Sequence, residues 1–454
     1  MPLRIQPLPY RVDSAVLFES VRHLPWPVFL DSARPMVEQG RYDIITADPF
    51  QTLVTRGEIT EIQAAGVVSR STEDPFQLLR KQLSFATGPG DAVAPFSGGA
   101  IGYFSYDLAR RIERLPSLAA AKDSMPELAV GIYDWALVVD HEDRSCWLVS
   151  QGKDAKTEAN WELLSDLFSR PQRQRQGAFR LSSPLQSNLE FSHYRTCFNR
   201  IQSYIHEGDC YQVNFAQRFQ AEVEGDSWVS YKSLRRVNPA PFSAYLENPF
   251  GHILSSSPER FLQLVGGHVQ TCPIKGTLAR SSDPREDQLR MQQLAKSLKD
   301  RAENLMIVDL LRNDIGKVCR TGTVEVSRMF SVESFARVHH LVSTVEGELA
   351  QGEDALSLLR ACFPGGSITG APKLRAMEII EELEGLRRGV YCGAIGYVGF
   401  DGRMDTNIAI RTLLKRRDKI SFWAGGGIVA DSRVESEYQE TLDKAAAIIE
   451  VLVS

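Results

Sequence analysis

The residues of this chain that could carry chemistry gather in its C-terminal half. Two strand-like runs, residues 261–265 and 268–272, flank Gly266-Gly267, the pattern of a hairpin closed by a two-residue glycine turn. Counted back from that turn, Glu259 of Ser257-Pro-Glu-Arg falls opposite Ile274, one residue from Lys275 of Pro273-Ile-Lys-Gly-Thr277. An acid and an amine thus meet at the open end of one hairpin. The pair could work as a general acid beside an amine nucleophile. On spacing alone an ordinary cross-strand ion pair is the simpler reading. Pro258, Pro273 and Gly276 break the pleat, so spacing does not fix which way either side chain points.

Carboxylates form a second group. Asp300 and Glu303 are three apart in a helical stretch, and Glu437, Glu440 and Lys444 fall on one face of another. Two helices each offering a carboxylate suit Mg²⁺, a hard cation that takes few protein ligands and keeps water; a solvated charged face has the same pattern. A third group is a pair of glycine-rich turns, at residues 363–373 and 424–429. Exposed amides at such turns hold carboxylates or phosphates, although glycine also serves simply to turn the chain. Neither turn has the nucleotide P-loop spacing, and neither is a GxGxxG opening a helix with its acidic partner. Together the three groups suit an anionic substrate with a poor leaving group.

The elements that must position these groups are legible in outline. Residues 192–208 put Cys197, Phe198, Ile201, Tyr204 and Ile205 on one helical face. Val213, Phe215, Phe219, Ala221 and Val223 keep the alternation of a half-buried strand. Asp283-Pro284 opens a long helix running towards Met306, and Ser432-x-x-Glu435 reads as the capping box of a last helix. Residues 171–188 are polar and aperiodic, a connector between an N-terminal region (1–170) and a catalytic domain (189–454). The N-terminal region mixes strand-like runs (42–54, 135–139, 146–150) with shorter helical ones. The pentapeptide Gly-Ala-Ile-Gly-Tyr occurs at 99–103 and again at 393–397, as two similar strand starts would. Long strands mixed with long helices indicate an α+β fold, large mixed or antiparallel sheets packed with helices.

Bulk properties narrow the class. The 454 residues suffice for two or three domain-sized units, and 43% apolar with 24% charged residues is ordinary globular composition. A net charge of −5 gives no reason to expect nucleic acid as partner. The start has no signal-peptide core, and no window approaches the roughly 20 apolar residues of a membrane helix. The seven cysteines form no CxxC pair, which points to reduced thiols in a cytoplasmic protein.

Further segments carry a resemblance. They include Gly-Asp-Cys-Tyr-Gln-Val-Asn-Phe (208–215), Lys-Asp-Arg-Ala-Glu-Asn-Leu-Met (299–306), Asp-Leu-Leu-Arg-Asn-Asp (309–314) and His-Leu-Val-Ser (340–343). With Ala409-Ile-Arg-Thr412, the two glycine stretches and the hairpin mouth, they resemble component I of aminodeoxychorismate synthase, within the chorismate-utilising enzymes. The resemblance covers nearly the whole chain and implies an anthranilate synthase component I-like chorismate-binding fold. Anthranilate synthases are similar too, but carry Ala where this chain has Lys275.

By that resemblance Lys275 attacks C2 of chorismate while the C4 hydroxyl, protonated by Glu259, departs; ammonia then adds at C4 and expels the lysine. Glu303 and Glu440 would ligate Mg²⁺ directly, with Glu437 in a water-mediated or supporting position. Arg411, Thr277, Tyr397 and the amides of Gly425, Gly426 and Gly427 would hold carboxylates. His340 and Ser367 would line the ring site, and Lys444 would offset the negative charge of the metal-facing stripe. A lysine nucleophile must be neutral, so its surroundings have to depress a pKa that is ordinarily about 10.4.

The resemblance further implies a heterodimer. No Gly-x-Cys-x-Gly nucleophile turn of a glutaminase occurs here, so ammonia would come from a separate glutamine amidotransferase subunit. Ser32, Arg41, Tyr42, Pro241, Phe242 and Ser243 resemble the tryptophan-binding pocket of anthranilate synthases; inter-sheet packing explains them equally. An anthranilate or salicylate synthase, a non-catalytic partner subunit and a phosphate-binding enzyme are the competing expectations.

Overall fold

The computed structural model describes every residue except 1, 2, 35, 38, 39, 85–93, 172–176, 336, 337 and 454. Several N-terminal strands are apolar on both faces, and a strand of that kind needs a cover on each side. The fold supplies it. Among the described residues there are two large sheets, of thirteen and twelve strands, and every strand pair in them is antiparallel. Val28, Ile44, Val138 and Ile253 of the first sheet meet Ile101, Tyr103, Ala129 and Ile395 of the second in one buried inner layer. Their neighbours Phe29, Ile45 and Leu137 point the other way and pack under the helices Ala15–Val21, Trp161–Ser169, Ser227–Val237 and Val434–Val453. The outer face of the second sheet packs in the same manner on Pro75–Leu83, Leu298–Gly316 and Ala355–Cys362. The architecture is α+β, in four layers: helix, sheet, sheet, helix.

Segments 1–170 and 189–454 meet inside both sheets. Strand Val28–Asp31 pairs with Phe242–Asn248 in the first, and Gly99–Phe104 with Ala394–Gly399 in the second. The latter contact joins the two copies of Gly-Ala-Ile-Gly-Tyr to each other, with Gly102 opposite Gly396. A Cβ on Gly396 would lie 2.1 Å from the Asp405 carbonyl oxygen and one on Gly102 2.2 Å from that of Ala129, so both glycines are needed for close strand approach. The connector region carries two short strands, Phe179–Leu181 and Gln186–Ser187, paired along Gln212–Gly225.

Three local expectations are corrected. The helix opening at Asp283-Pro284 is two helices, Pro284–Lys296 and Leu298–Gly316, because Ser297 leaves helical geometry and its side chain caps the Asp300 N–H. Residues 425–427 lie not in a turn but in the strand Lys419–Ile428, where Asn214 pairs with Gly427 and Ala216 with Gly425. The last helix spans Val434–Val453, and the Ser432 hydroxyl bonds to the Glu437 carboxylate (2.6 Å) instead of forming a capping box with Glu435.

Twice near one end of the sandwich the chain changes sheets. Strand Gly251–Ser257 belongs to the first sheet and Arg260–Val265 to the second, so Pro258 and Glu259 form one crossing. Strand Met404–Ile408 belongs to the second and Thr412–Arg416 to the first, so residues 409–411 form the other. The crossings bond to each other: Ser257 Oγ donates to the Ile408 carbonyl (2.6 Å), Ile408 N–H to the Glu259 carbonyl (3.1 Å) and Ser256 N–H to that of Arg411 (3.1 Å).

Candidate active site

Glu259 and Arg411 each sit on one of these crossings, where the backbone leaves both ladders and can aim a side chain between the sheets. Glu259 is 5% exposed. Its carboxyl accepts from the Ile274 N–H and the Ser367 hydroxyl, and burial pushes it up to about 7 despite those bonds and the nearby Lys275 and Lys444 ammonium groups. The hairpin count therefore held at the one residue that matters, with Glu259 beside Ile274. Lys275 is half-buried and donates to the Ser367 carbonyl (3.4 Å). Desolvation depresses its pKa, against the upward pull of Glu303, Glu259 and Glu440, and Lys444 adds to the depression. Ser367 thus touches both groups, the acid through its hydroxyl and the amine through its carbonyl. Residues 363–373 wrap it in a short 3₁₀ turn, Gly366–Ile368, ahead of the helix Lys373–Leu383.

A second cluster faces them. Thr277 lies opposite His340 in the ladder, and its hydroxyl bonds His340 Nδ1 at 2.8 Å. Burial, with the Arg411 charge next in size, pushes His340 down to about 3, so its imidazole is neutral. Arg411 stands at φ +50° and donates to Asn238 Oδ1 (2.9 Å). Burial lowers its pKa, and among the described residues no carboxylate lies within ion-pair distance of it. A half-buried guanidinium without a counter-ion among the described residues, beside neutral hydrogen-bonding groups, has the chemistry to receive an anion.

The acidic stripe lies on the two helices anticipated. A Cβ on Gly426 would approach Glu437 Oε2 to 3.2 Å and Glu440 Oε1 to 3.4 Å, so glycine at this strand position makes room for both carboxylates. Lys299 reaches Glu303 (3.8 Å) and Glu437 (4.0 Å), joining the two helices. Lys444 pairs with Glu440 (2.6 Å) and donates to the Gly425 carbonyl (3.0 Å). Among the described residues no three metal-ligating groups are drawn together as a ready cation site. The β-pairing partner Thr412–Arg416 ends opposite Phe422, whereas Gln212–Gly225 runs on to Ile428, so residues 425–427 keep a ladder on one edge only.

Tyr397 stands elsewhere. With Ile395 it points into the layer between the sheets, 5.2 Å from the Phe96 ring, because alternation on Ala394–Gly399 sends Ala394 and Val398 to the opposite face. There it lines a cavity of about 590 Å³ together with Ser32, Arg41, Tyr42, Pro241, Phe242 and Ser243. Arg41 is tied to Asp140 (2.7 Å) and Ser32 Oγ to Asp43 (2.7 Å). Pro241 and Pro258 border both this cavity and a small one beside His340 and Arg411.

The sequence reading missed Asn238, Lys299 and Gln212. Asn238 precedes a proline at the end of Ser227–Val237, the mark of a helix stop and not of a site. Gln212 is fully buried, both ends of its amide lack a bond among the described residues, and a Cβ on Gly427 would meet it at 3.0 Å.

A family model described as chorismate binding enzyme matches residues 38–450. The chain belongs to this family. Aminodeoxychorismate synthase component 1 of Salmonella typhimurium is 50% identical over 449 residues, covering 98% of this chain and 97% of that protein. Anthranilate synthase component 1 of Aquifex aeolicus is 35% identical over 94% of this chain and 89% of its own length. The crystal structure of anthranilate synthase component I from Streptococcus pneumoniae superposes with a TM-score of 0.79 at 31% identity, covering 90% of this chain and 92% of that one.

The neutral His340 is directly checkable. Its ring resonances in nitrogen-15 NMR should not titrate between pH 5 and 8, whereas a midpoint near the ordinary value of about 6.5 would contradict the burial described.

Proposed function

We propose that this chain replaces the C4 hydroxyl of chorismate with an amino group, giving 4-amino-4-deoxychorismate, the activity named in its relatives at about half identity. One observation carries the reading: Lys275 and Glu259 are held by the same serine where burial shifts the amine and the acid towards their neutral forms. The neutral amine adds to C2, both ring double bonds shift (to C1=C6 and C4=C5), and the C4–O bond breaks. Glu259 gives its proton to the departing oxygen, which leaves as water. Ammonia then forms the C4–N bond and gives up a proton as both double bonds shift back and the lysine departs as a neutral amine, and the enolpyruvyl group is retained throughout. Arg411, with Thr277 and His340, supports binding of a substrate carboxylate.

Glu303, Glu437 and Glu440 would hold Mg²⁺, with water completing the shell: Glu437 and Glu440 border the space Gly426 leaves free, and Lys299 links Glu303 of the neighbouring helix to Glu437. Bound there, the cation would supply positive charge to a substrate carboxylate. Ammonia reaches the chain from a glutamine amidotransferase subunit in the cytoplasm. The cavity lined by Ser32, Arg41, Tyr42, Pro241, Phe242 and Ser243 is the place for tryptophan. A calorimetric titration should show saturable binding weakened in Ser32→Ala, and absence of saturable binding removes that part. A second reading, anthranilate synthesis, is favoured by the Aquifex and Streptococcus relatives but not by Lys275.

Mass analysis separates them. With chorismate, Mg²⁺ and ammonium, the purified chain should form a product that keeps the enolpyruvyl carbons. That product should be lost in Lys275→Ala and fall by at least about 100-fold in Glu259→Gln or when the metal is chelated. Release of pyruvate with an aromatic amine would establish the second reading instead, and undiminished turnover in chelator would remove the metal.

A further inference from the structure

Arg388 and Glu384 are four residues apart just beyond the helix Lys373–Leu383, a spacing that elsewhere makes an exposed ion pair. Here both side chains are 1% exposed. Buried ion pairs are weak evidence for stability, because desolvation offsets most of the attraction. This one distributes its bonds in an unusual way. Glu384 takes both Nε (2.9 Å) and Nη2 (2.7 Å) of the guanidinium, and Arg388 donates further to the Ile368 carbonyl (2.9 Å) and the Asn214 carbonyl (2.8 Å). Glu384 in turn accepts from the Ala216 N–H (2.9 Å). The Tyr106 ring closes the far side, 4.8 Å from the guanidinium carbon. The pair therefore ties the 3₁₀ turn Gly366–Ile368 to the strand opposite residues 425–427. Ile368 adjoins Ser367, whose carbonyl accepts from Lys275 and whose hydroxyl bonds Glu259.

We propose that Arg388 and Glu384 are positioning residues that fix Ser367, and through it the spacing of Lys275 and Glu259. The proposal rests on the reaction assigned above but is tested independently of it. Glu259 faces the Lys275 and Lys444 side-chain nitrogens, the Cys392 thiol, the Ile274 N–H and the Ser367 hydroxyl. Of these, the serine adjoins Ile368, whose carbonyl the clamp holds, and the Cys392 thiol also feels the Arg388 and Glu384 charges. Lysine at position 388 keeps the charge but cannot serve a bidentate carboxylate and two carbonyls at once.

The measurement is the infrared band of the protonated Glu259 carboxyl, assigned by its disappearance in Glu259→Gln, followed against pH in the full chain without substrate. The midpoint should lie near pH 7 in the unmodified protein. It should rise by about one pH unit in Ser367→Ala, as a hydrogen bond to the carboxylate is lost, and by a similar amount in Arg388→Lys. The double variant should add nothing further, since both changes act through one bond. Turnover in Arg388→Lys should fall about 100-fold with the KM for chorismate little changed. An unmoved midpoint in folded Arg388→Lys, or additive shifts in the double variant, would overturn the proposal. If Arg388→Lys does not fold, Glu384→Gln is read in its place: a rise supports the clamp and an unmoved midpoint removes it. Failure of the unmodified chain to aminate chorismate would remove the reaction but leave this titration standing.

Discussion

Partial withdrawal of one lysine from water, together with burial of one glutamate, is the condition on which the rest of the site depends. An ammonium group cannot attack carbon, and an ionised carboxylate cannot protonate a leaving hydroxyl. In water the two would form an ion pair and do neither. At the hairpin mouth burial shifts both towards their neutral forms, and each finds its hydrogen bond at Ser367. Raising Glu259 from 4.5 to about 7 corresponds to about 3 kcal/mol against its ionised form. The sign follows from linkage: a carboxyl with a raised folded pKa makes the fold less stable as pH climbs from the unfolded value through about 7. The fold carries that cost at the pH where an acid near neutrality is most effective.

The two-sheet sandwich makes such a place available. Inside a ladder a side chain points to one face or the other, towards helices or towards the second sheet. Where the chain leaves one sheet for the other, at residues 258–259 and 409–411, that alternation is interrupted. Glu259 and Arg411 occupy these interruptions, and hydrogen bonds between the crossings hold an acid and an anion receptor in one frame. Glycine has a related use in the strand beneath, where Gly426 leaves space for the carboxylates of the last helix.

Much of this was legible in the sequence, for identifiable reasons. The Gly266-Gly267 turn fixes its own register, so counting back reached Glu259 and Ile274 correctly. Helical spacing grouped Glu437, Glu440 and Lys444. What failed needed tertiary information. Glycines in a turn and glycines under a close-packed strand look alike, which misplaced residues 425–427. Period-two alternation separates the faces of Ala394–Gly399 but does not say which face meets which cavity, so Tyr397 was grouped with Arg411 and Thr277, whereas it lines the cavity between the sheets. Arg388 and Glu384 have a spacing that surface pairs share, and burial has no local signature, so they gave no signal. The break at Ser297 was visible in principle, as a serine three residues before Asp300, but the continuing helical composition obscured it.

The most direct test of the central claim is whether Lys275 itself becomes bonded to substrate. Chorismate and Mg²⁺ without any ammonia source should let the amine add and water leave, with nothing to expel the lysine. Rapid acid quench followed by intact-protein and peptide mass analysis should find the mass of chorismate less one water on the peptide carrying Lys275. Glu259→Gln should diminish the adduct. An unmodified Lys275 peptide under conditions where ammonia restores full turnover would contradict the account, and would leave the buried lysine as a binding group only.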